Sequence, residues 1–276
     1  MKIEDLAKIQ NPDGGFGRFH SMSSDSSITT EKALRRFWFL NLNKNHPIVS
    51  KSLEYVRKCL YKEIVIPDRR EKVINWDVFE ELMFSSWLNL FEVEDEKVVS
   101  IQLKWKSVIE KSIIDDKFDY TEYKKQYRLM FGNKGLREIS PSSFYMVCLL
   151  KNILIPSAKK AYFQYLMEKG IYYIYDKNLY DLPKEFDSKN TISYLIAIKM
   201  VADYAGENEL AFVKNWLYKN RNRNNEWEMK NIKPDGIVFP LSENWRTNEN
   251  KKNDIDRFVK EVFIYLNKNM IRKNVK

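Results

Sequence analysis

Residues that make turns and cross-links are scarce in this sequence. It has 8 glycines, 8 prolines and 2 cysteines in 276 residues. So few turn-forming residues argue against a β-sandwich or barrel, and two cysteines cannot build the disulfide framework of a small secreted domain. No apolar run approaches the ~20 residues that cross a bilayer, and the amino-terminal segment lacks the pattern of a signal peptide. We expect a helix-dominated, cytoplasmic protein without a membrane span.

The charge balance is basic, with 47 lysines and arginines against 38 aspartates and glutamates. A net charge of +9 could attract nucleic acid or anionic lipid. However, the lysines are spread over helical patterns, as is typical of solvated helix faces, so nucleic acid is not an expected partner. A hydrophobic fraction of 44% and an aromatic fraction of 14% are too high for a disordered chain.

Apolar residues recur at helical spacing along most of the chain. Thr29 or Thr30 suits the N-cap of the first strongly periodic helix, and Pro47 suits the first position of the next one. Short breaks divide the helices into pairs, and two helices joined so tightly must run antiparallel. The predicted helices cover residues 28–42, 47–60, 76–91, 98–114, 142–154, 157–170, 191–205, 207–219 and 253–267.

Similar segments recur in the second helix of each pair and in the last helix. They read LEYVRKCL from Leu53, LKWKSVIE from Leu103, AYFQYLME from Ala161, FVKNWLYK from Phe212 and FVKEVFIY from Phe258. A period of about 50 residues indicates a helical-hairpin array, in which each pair buries its apolar face by stacking on its neighbours. Such arrays form open superhelices or closed rings.

A short motif precedes the first predicted helix pair. Gln10-Asn11-Pro12-Asp13-Gly14-Gly15-Phe16 fits the pattern Gln-x-x-x-Gly-x-(Phe/Trp), and a serine-rich link follows it. Worn copies lie near the carboxyl terminus. There, Arg221, Asn225 and Trp227 occupy the glutamine, glycine and aromatic positions, and Pro234-Asp235-Gly236 repeats Pro12-Asp13-Gly14.

This motif resembles the QW repeat of terpenoid cyclases of the squalene-cyclase type and of protein-prenyltransferase β subunits. The resemblance implies an all-α fold of the α/α toroid type. In that family the glutamine amide bonds helix ends while the aromatic ring packs on it, so neighbouring hairpins are tied together. The resemblance assigns these parts to Gln10 and Phe16, and it makes Asp13 and Gly14 structural members of the motif.

The catalytic motifs of the resembled families are incomplete. Class II cyclases protonate their substrate with Asp-x-Asp-Asp, but the nearest segment, residues 254–257, reads Asp-Ile-Asp-Arg. Protein prenyltransferases bind a catalytic zinc through Asp, Cys and His. Cys59 and Cys148 lie inside apolar helical patterns, so we expect buried structural thiols. His20 and His46 are expected to be loop or capping residues. No cofactor is therefore predicted.

One acidic segment supports an alternative. Asp115, Asp116 and Asp119 fit Asp-Asp-x-x-Asp, the metal motif of class I terpene synthases. On a helix, Asp115 and Asp119 would share a face and could bind Mg²⁺ that grips a diphosphate. The segment 253–261 is similar to the second metal motif of those enzymes, but Arg257 stands where a hydroxyl ligand belongs. Mg²⁺ is a cofactor only in this alternative.

Aromatic residues provide the remaining functional clue. In a toroid, inner helices could line a central cavity whose π faces suit prenyl chains, although an aromatic stripe also fits an ordinary core. The candidate lining residues are Trp38, Trp76, Phe79, Trp87, Phe144 and Tyr194. Asp77, Glu80 and Glu81 are the carboxylates closest to such a cavity. Trp245 and Arg246 lie in a polar loop and suit a ligand contact, the closure of the ring or plain packing.

Together these patterns predict a single domain, residues 1–276, built as an α/α toroid of about four to five hairpins whose ring need not close. The expected function is binding of a hydrophobic ligand, an isoprenoid or a peptide, in the central cavity. The alternatives are a Mg²⁺-dependent class I terpene synthase and a helical-array scaffold that binds protein or nucleic acid. Fold resemblance by itself does not identify the ligand.

Overall fold

The computed structural model describes residues 1–20, 28–132 and 135–271, with side chains up to residue 267. Within these residues the protein is all-α apart from one short hairpin, as the sequence predicts. The helices are α1 (Ile3–Ile9), α2 (Thr30–Phe39), α3 (Pro47–Leu60), α4 (Trp76–Leu90), α5 (Glu96–Lys111), α6 (Tyr120–Phe131), α7 (Phe144–Leu149), α8 (Pro156–Lys169), α9 (Lys189–Val201), α10 (Ala211–Lys219) and α11 (Asn248–Ile271). The hairpin joins β1 (Ile113–Ile114) to β2 (Lys117–Phe118). The serine-rich link, residues 21–27, lies outside the described residues.

Local capping signals begin several helices where the sequence predicts them. The hydroxyl of Thr29 accepts a hydrogen bond from the backbone N of Lys32 at 3.2 Å and caps α2. Pro47 is the first residue of α3, where its missing N–H costs no helical hydrogen bond. Side-chain caps of the same kind begin α4, α6, α7 and α9 at Asn75, Asp119, Ser143 and Ser188.

Several elements differ from the prediction. Helices α1 and α6 were not expected, because they are short or carry weak periodicity. Helix α5 ends at Lys111 instead of Ile114, since Asp115 and Asp116 both have positive φ, 47° and 60°. These angles make the two-residue turn of the β1–β2 hairpin. Helix α7 covers only six residues of the predicted 142–154.

The described residues fall into two compact units that interleave along the sequence. The first unit is drawn from residues 1–103, 133–139 and 234–245. In it, α3 packs between α2 and α4. Helix α4 is buried on nearly all faces, which explains why its apolar residues do not form one stripe.

The second unit is drawn from residues 104–132, 140–233 and 246–276. Helix α9 contacts α7 and α11, so these three helices form one row. Helix α8 also contacts α9, and α10 contacts α11. The toroid itself remains a prediction.

Candidate functional site

The glutamine of the QW-like motif joins its own turn to helix α3. The Nε2 atom of Gln10 lies 3.0 Å from the carbonyl oxygens of Gly14 and Ile48 and 2.9 Å from the hydroxyl of Ser52. The Ser52 hydroxyl also donates to the Gly14 oxygen at 2.9 Å. The side-chain amide therefore links a turn to the first turns of a helix 38 residues further along the chain, which is the part that the resemblance assigns to it.

The backbone of this turn requires a glycine. Asn11 N donates to Gly15 O at 2.9 Å, and Gly14 N donates to Asn11 O at 3.0 Å. Gly14 has a φ of +100°, and a Cβ there would lie 2.2 Å from the carbonyl oxygen of Lys51 in α3. No other residue type fits this position without moving the turn away from α3.

The aromatic residue of the motif is a packing residue. Phe16 is buried, and its ring centroid lies 6.2 Å from that of Phe37 in α2. Its backbone N donates to the hydroxyl of Thr30, the first residue of α2, at 2.9 Å. The motif therefore connects α1 to both α2 and α3.

The worn copy near the carboxyl terminus has the same backbone turn. Asn222 N donates to Glu226 O at 2.9 Å, and Asn225 N donates to Asn222 O at 3.0 Å. Asn225, in the glycine position, has a φ of 61°, which asparagine tolerates better than most residues. The two segments therefore share a backbone turn as well as a sequence similarity.

In this copy the aromatic residue, rather than the polar one, makes the hydrogen bond that links the turn to a helix. The indole Nε1 of Trp227 donates to the carbonyl oxygen of Leu217 near the end of α10 at 2.8 Å. The guanidinium of Arg221, which stands in the glutamine position, lies 4.4 Å from the centroid of the Trp227 ring. The hydrogen bond has therefore moved from the polar side chain to the aromatic one, and the cation stacks on the ring.

A third turn with the same two backbone hydrogen bonds follows α8, and the motif search does not identify it. Ile171 N donates to Tyr175 O at 2.7 Å, and Ile174 N donates to Ile171 O at 3.0 Å. Tyr173 has a φ of 76°, an uncommon value for a bulky residue. A Cβ on Gly170 would lie 2.2 Å from Tyr175 O. Gly170 was the one available signal, because no polar residue occupies the glutamine position.

The two Asp-Gly segments, at Asp13 and Asp235, are alike only in their local turn geometry. The carboxylate of Asp13 accepts from Gly15 N at 2.8 Å, and that of Asp235 accepts from Ile237 N at 2.9 Å. Both following glycines have positive φ, and that of Gly236 is 75°. The two segments therefore share an Asx-type turn.

A buried arginine holds the loop that contains Asp235. Arg36 in α2 donates through Nε to Met1 O at 3.1 Å, and through Nη1 to Ile237 O and Val238 O at 3.2 Å each. Its Nη2 donates to Pro240 O. Hydrogen bonds from one charged group thus fasten residues 237–240 to the amino-terminal helices within the first unit.

The predicted loop pair divides between two environments. Trp245 is half-buried, and its ring centroid lies 5.1 Å from that of Phe239, so it packs in the first unit. Arg246 is exposed. The packing interpretation therefore describes Trp245 in this structure.

A polar cluster surrounds His20, which lies in the loop between α1 and α2, as expected. Its Nδ1 lies 2.6 Å from Glu31 Oε2, and Arg35 Nη2 lies 2.8 Å from Glu31 Oε1. Asp68 accepts from the backbone N of Phe19 at 2.6 Å and of His20 at 2.8 Å. Burial alone would raise the pKa of Glu31, but Arg35 and His20 lower it to about 2. Burial opposes the charged form of His20, yet the hydrogen bond and charge of Glu31 raise its pKa overall.

The acidic motif of the alternative does not lie on a helix. Asp115 and Asp116 form the turn of the hairpin, and both are exposed. Asp119 caps α6 by accepting from Glu122 N at 2.7 Å. The expectation that Asp115 and Asp119 share a helical face is wrong, because the backbone reverses direction between α5 and α6.

The second acidic segment supports the Trp227 turn. Asp256 accepts from Trp227 N at 3.1 Å and pairs with Lys260 at 2.6 Å. Arg257 pairs with Glu261 at 3.1 Å. Among the residues that the structure describes, no group of three or more His, Cys, Asp or Glu side chains is arranged to hold a metal ion.

The remaining metal-ligand candidates have structural positions. Cys59 and Cys148 are both buried, as predicted, and burial raises the pKa of Cys59 to about 12. Such a thiol stays protonated and is a poor ligand or nucleophile. His46 precedes α3 as its N-cap residue, as predicted, but makes no side-chain capping bond.

Most candidate lining aromatics are packed inside the protein. Trp87, Phe144 and Tyr194 have no solvent-accessible surface, and Phe79 and Trp76 keep 3% and 5% of theirs. A residue that lines a cavity large enough for a ligand would be reached by water. In this structure these five rings are core residues. Only Trp38, at the end of α2, remains partly accessible among the six.

The candidate carboxylates lie along one side of α4. Asp77 is exposed and pairs with Arg70. Glu80 accepts from the indole Nε1 of Trp76 at 2.7 Å, and burial raises its pKa. Glu81 is half-buried. Burial thus favours the protonated form of Glu80.

Comparison with family models, with curated proteins and with solved structures finds no match. The family resemblance therefore depends on the motif and on its geometry. In the part of the chain that the structure describes, no helix is both long enough and apolar enough to span a membrane.

Proposed function

We propose that this protein binds a hydrophobic ligand, an isoprenoid or an apolar peptide, and is related in form to terpenoid cyclases and protein-prenyltransferase β subunits. The tie made by Gln10 carries the proposal. Its amide joins a tight turn to the start of α3, and a turn with the same backbone hydrogen bonds recurs at residues 222–226. A single tight turn would be commonplace, but a repeated one, placed each time after a helix, is typical of a helical-hairpin repeat.

The proposal is for binding rather than catalysis because the chemical groups of the related enzymes are missing or engaged elsewhere. Arg257 replaces the last aspartate of the cyclase motif, and Asp256 holds the Trp227 turn. A ligand bound by such a protein would be held by apolar and aromatic contacts.

The accessible apolar surface at the end of α2 is the proposed contact site. Trp38 and Phe39 have ring centroids 4.9 Å apart. Both are half-buried, as are the adjacent Leu40 and Leu42. Four partly accessible apolar residues thus lie within five positions at one helix end, and apolar surface of this kind often marks a binding site.

Intrinsic tryptophan fluorescence tests the proposal. We expect farnesol to change the emission of the full-length protein saturably, and Trp38→Ala to weaken farnesol binding at least tenfold. Trp216→Phe is the matched control, because Trp216 in α10 is also half-buried but lies outside the proposed site. Non-saturable changes, or equal weakening by both variants, would contradict the proposal.

The same protein can be tested for the class I alternative. Mg²⁺-dependent release of diphosphate from farnesyl diphosphate, lost in Asp115→Ala, would favour a terpene synthase. We expect no such release, since Asp115 and Asp116 form a hairpin turn that faces solvent.

A binding surface for a macromolecule is the second candidate function, and the turn after α8 favours it. Tyr172 and Tyr173 are 41% and 46% exposed, and their ring centroids lie 4.1 Å apart. Exposed rings on a rigid turn can stack on a protein or on the bases of a single strand. Salt-sensitive retention on single-stranded RNA, lost in Tyr172→Ala, would support this function over hydrophobic ligand binding.

A further inference from the structure

A cleft of about 270 Å³ is lined by the start of α11 and by the segment that follows Trp227. The segment contributes residues 228–230, and α11 contributes Asn248, Lys251, Lys252 and Ile255. Both parts belong to the second unit. The volume is close to the ~300 Å³ at which sites for small molecules begin, so the cleft suits a small ligand. We call it the Lys251 cleft.

Backbone contacts hold the segment in place beside α11. The carboxylate of Asp187, which precedes α9, accepts from the backbone N atoms of Lys230 and Asn231 at 2.8 Å each. On the α11 side, Lys251 Nζ donates to the carbonyl oxygen of Lys230 at 2.5 Å. The wall of the cleft is thus fixed by bonds to two other parts of the unit, as a preformed binding site requires.

A carboxylate of the cleft is fixed by its neighbours. Glu228 Oε1 accepts from the side-chain amide of Asn222 at 2.9 Å and lies 3.6 Å from Lys252 Nζ. Lys252 also pairs with Glu226 at 2.7 Å. A carboxylate can accept about four hydrogen bonds, so Glu228 keeps acceptor capacity for a ligand while its position is set by the protein.

The cleft has a positive charge. Its lining holds three lysines and one glutamate, a formal charge of +2. The bond from Lys251 to the Lys230 carbonyl has a neutral acceptor and does not cancel the charge of the ammonium group. Lys230 has an exposed side chain. The positive end of the α11 dipole adds to this potential, so the cleft favours an anion.

The accessible lining is polar. Met229 and Ile255 keep 1% and 0% of their surface exposed, so a ligand meets the lysines, Glu228 and Asn248 instead. Ammonium groups bind phosphate as point charges, whereas a carboxylate and a side-chain amide form hydrogen bonds with hydroxyl groups. A ligand that carries both a phosphate and several hydroxyl groups matches this set of side chains.

We propose that the Lys251 cleft binds a sugar phosphate. Lys230 and Lys251 contact the phosphate, and Glu228 and Asn248 contact the hydroxyl groups. The inference goes beyond the proposed function and does not depend on it, because Trp38 belongs to the first unit and the cleft to the second.

Isothermal titration calorimetry on the intact protein, at low salt and without phosphate in the buffer, tests the proposal. The three probes are glucose 6-phosphate, glucose and inorganic phosphate. We expect saturable binding of glucose 6-phosphate to one site, at least tenfold tighter than that of either other probe. Trp38→Ala should leave this binding unchanged, which separates the cleft from the hydrophobic site.

Lys230→Gln is the main variant, because the bonds that hold Lys230 in place are made by its backbone and the variant should fold. It should weaken binding of glucose 6-phosphate at least fivefold. Lys160→Gln is the matched control, since it removes an exposed lysine of α8 in the same unit and should change binding less than twofold.

Three results would contradict the proposal. Absence of saturable binding by the wild-type protein, or equal weakening by the two lysine variants, would overturn it. Glucose that binds as tightly as glucose 6-phosphate would overturn the phosphate contact. Inorganic phosphate that binds as tightly as glucose 6-phosphate would overturn the hydroxyl contacts assigned to Glu228 and Asn248.

Discussion

Replacement of Gly14 by alanine should destabilise the protein much more than a typical surface substitution. A left-handed backbone costs an L-residue roughly 1–2 kcal/mol. The new Cβ would also lie 2.2 Å from the carbonyl oxygen of Lys51, so the turn must move away from α3. That movement breaks the two hydrogen bonds that Gln10 and Ser52 donate to Gly14 O, each of which contributes about 1 kcal/mol. We expect a total loss of about 3–5 kcal/mol.

Gly132→Ala is the matched control. Gly132 has a φ of +83°, but no atom lies within 4 Å of a Cβ placed there. The control therefore carries the conformational cost of a positive φ without the collision. The difference between the two variants isolates the contact with α3 and the Gln10 tie, and it should be about 2 kcal/mol or more.

Urea unfolding followed by circular dichroism at 222 nm measures both variants. The midpoint should fall further for Gly14→Ala at an unchanged slope, since the native state loses contacts but not its fold. If the two variants lose equal stability, the turn does not depend on its contact with α3. The structural argument for a QW-type tie would then be refuted.

Three further predictions concern the polar contacts of α2. Glu31→Gln should cost about 3 kcal/mol at pH 7, because the pKa of Glu31 falls from 4.5 to about 2 on folding; urea unfolding at pH 7 and pH 2 should show the loss at the higher pH only. The pKa of His20 is raised in the folded state, so the stability that protonated His20 adds is fully present below about pH 6.5 and is lost as the pH rises through the pKa of the folded protein. A free energy of unfolding of the wild-type protein that does not fall as the pH rises above about 6.5 would contradict the pairing of His20 with Glu31. Arg36→Met should cost about 3 kcal/mol or more, since several carbonyl oxygens lose a charged donor. In contrast, Arg57→Met should cost less than about 1 kcal/mol, because the Arg57–Glu54 pair is exposed, and thermal unfolding should rank the two arginine variants in this order.

The three turns show which tertiary contacts a short sequence motif can predict. The resemblance of the Gln10–Phe16 segment to the QW motif implied a tie to a helix, and the copy ending at Trp227 has the same backbone hydrogen bonds. The turn at Tyr173 was not predicted, because its conformation is imposed by the packing around Gly170 rather than by its own residue types. The sequence motif therefore identified the two turns that a side chain, Gln10 or Trp227, links to a helix. It did not identify the turn at Tyr173, which is held by backbone hydrogen bonds.

The acidic motif is a case in which a sequence pattern led to a wrong structural prediction. Asp115 to Asp119 has the spacing of a metal site only if the chain is helical there. Two consecutive residues with positive φ end that possibility, and the apolar residues that precede them did not reveal where α5 stops. The metal-site interpretation required a helix to run through residues 115–119, and the hairpin turn excludes that.

The sequence by itself determined the helical class, most helix positions, several caps and the Gln10 turn, because periodicity, proline and capping side chains act over a few residues. Only the tertiary structure decided that Arg36 binds carbonyls about 200 residues away, that Glu31 holds His20, and that Lys230 and Lys251 line one cleft. These contacts depend on which helices pack together, and no local pattern encodes a distance between residues that are remote in the chain.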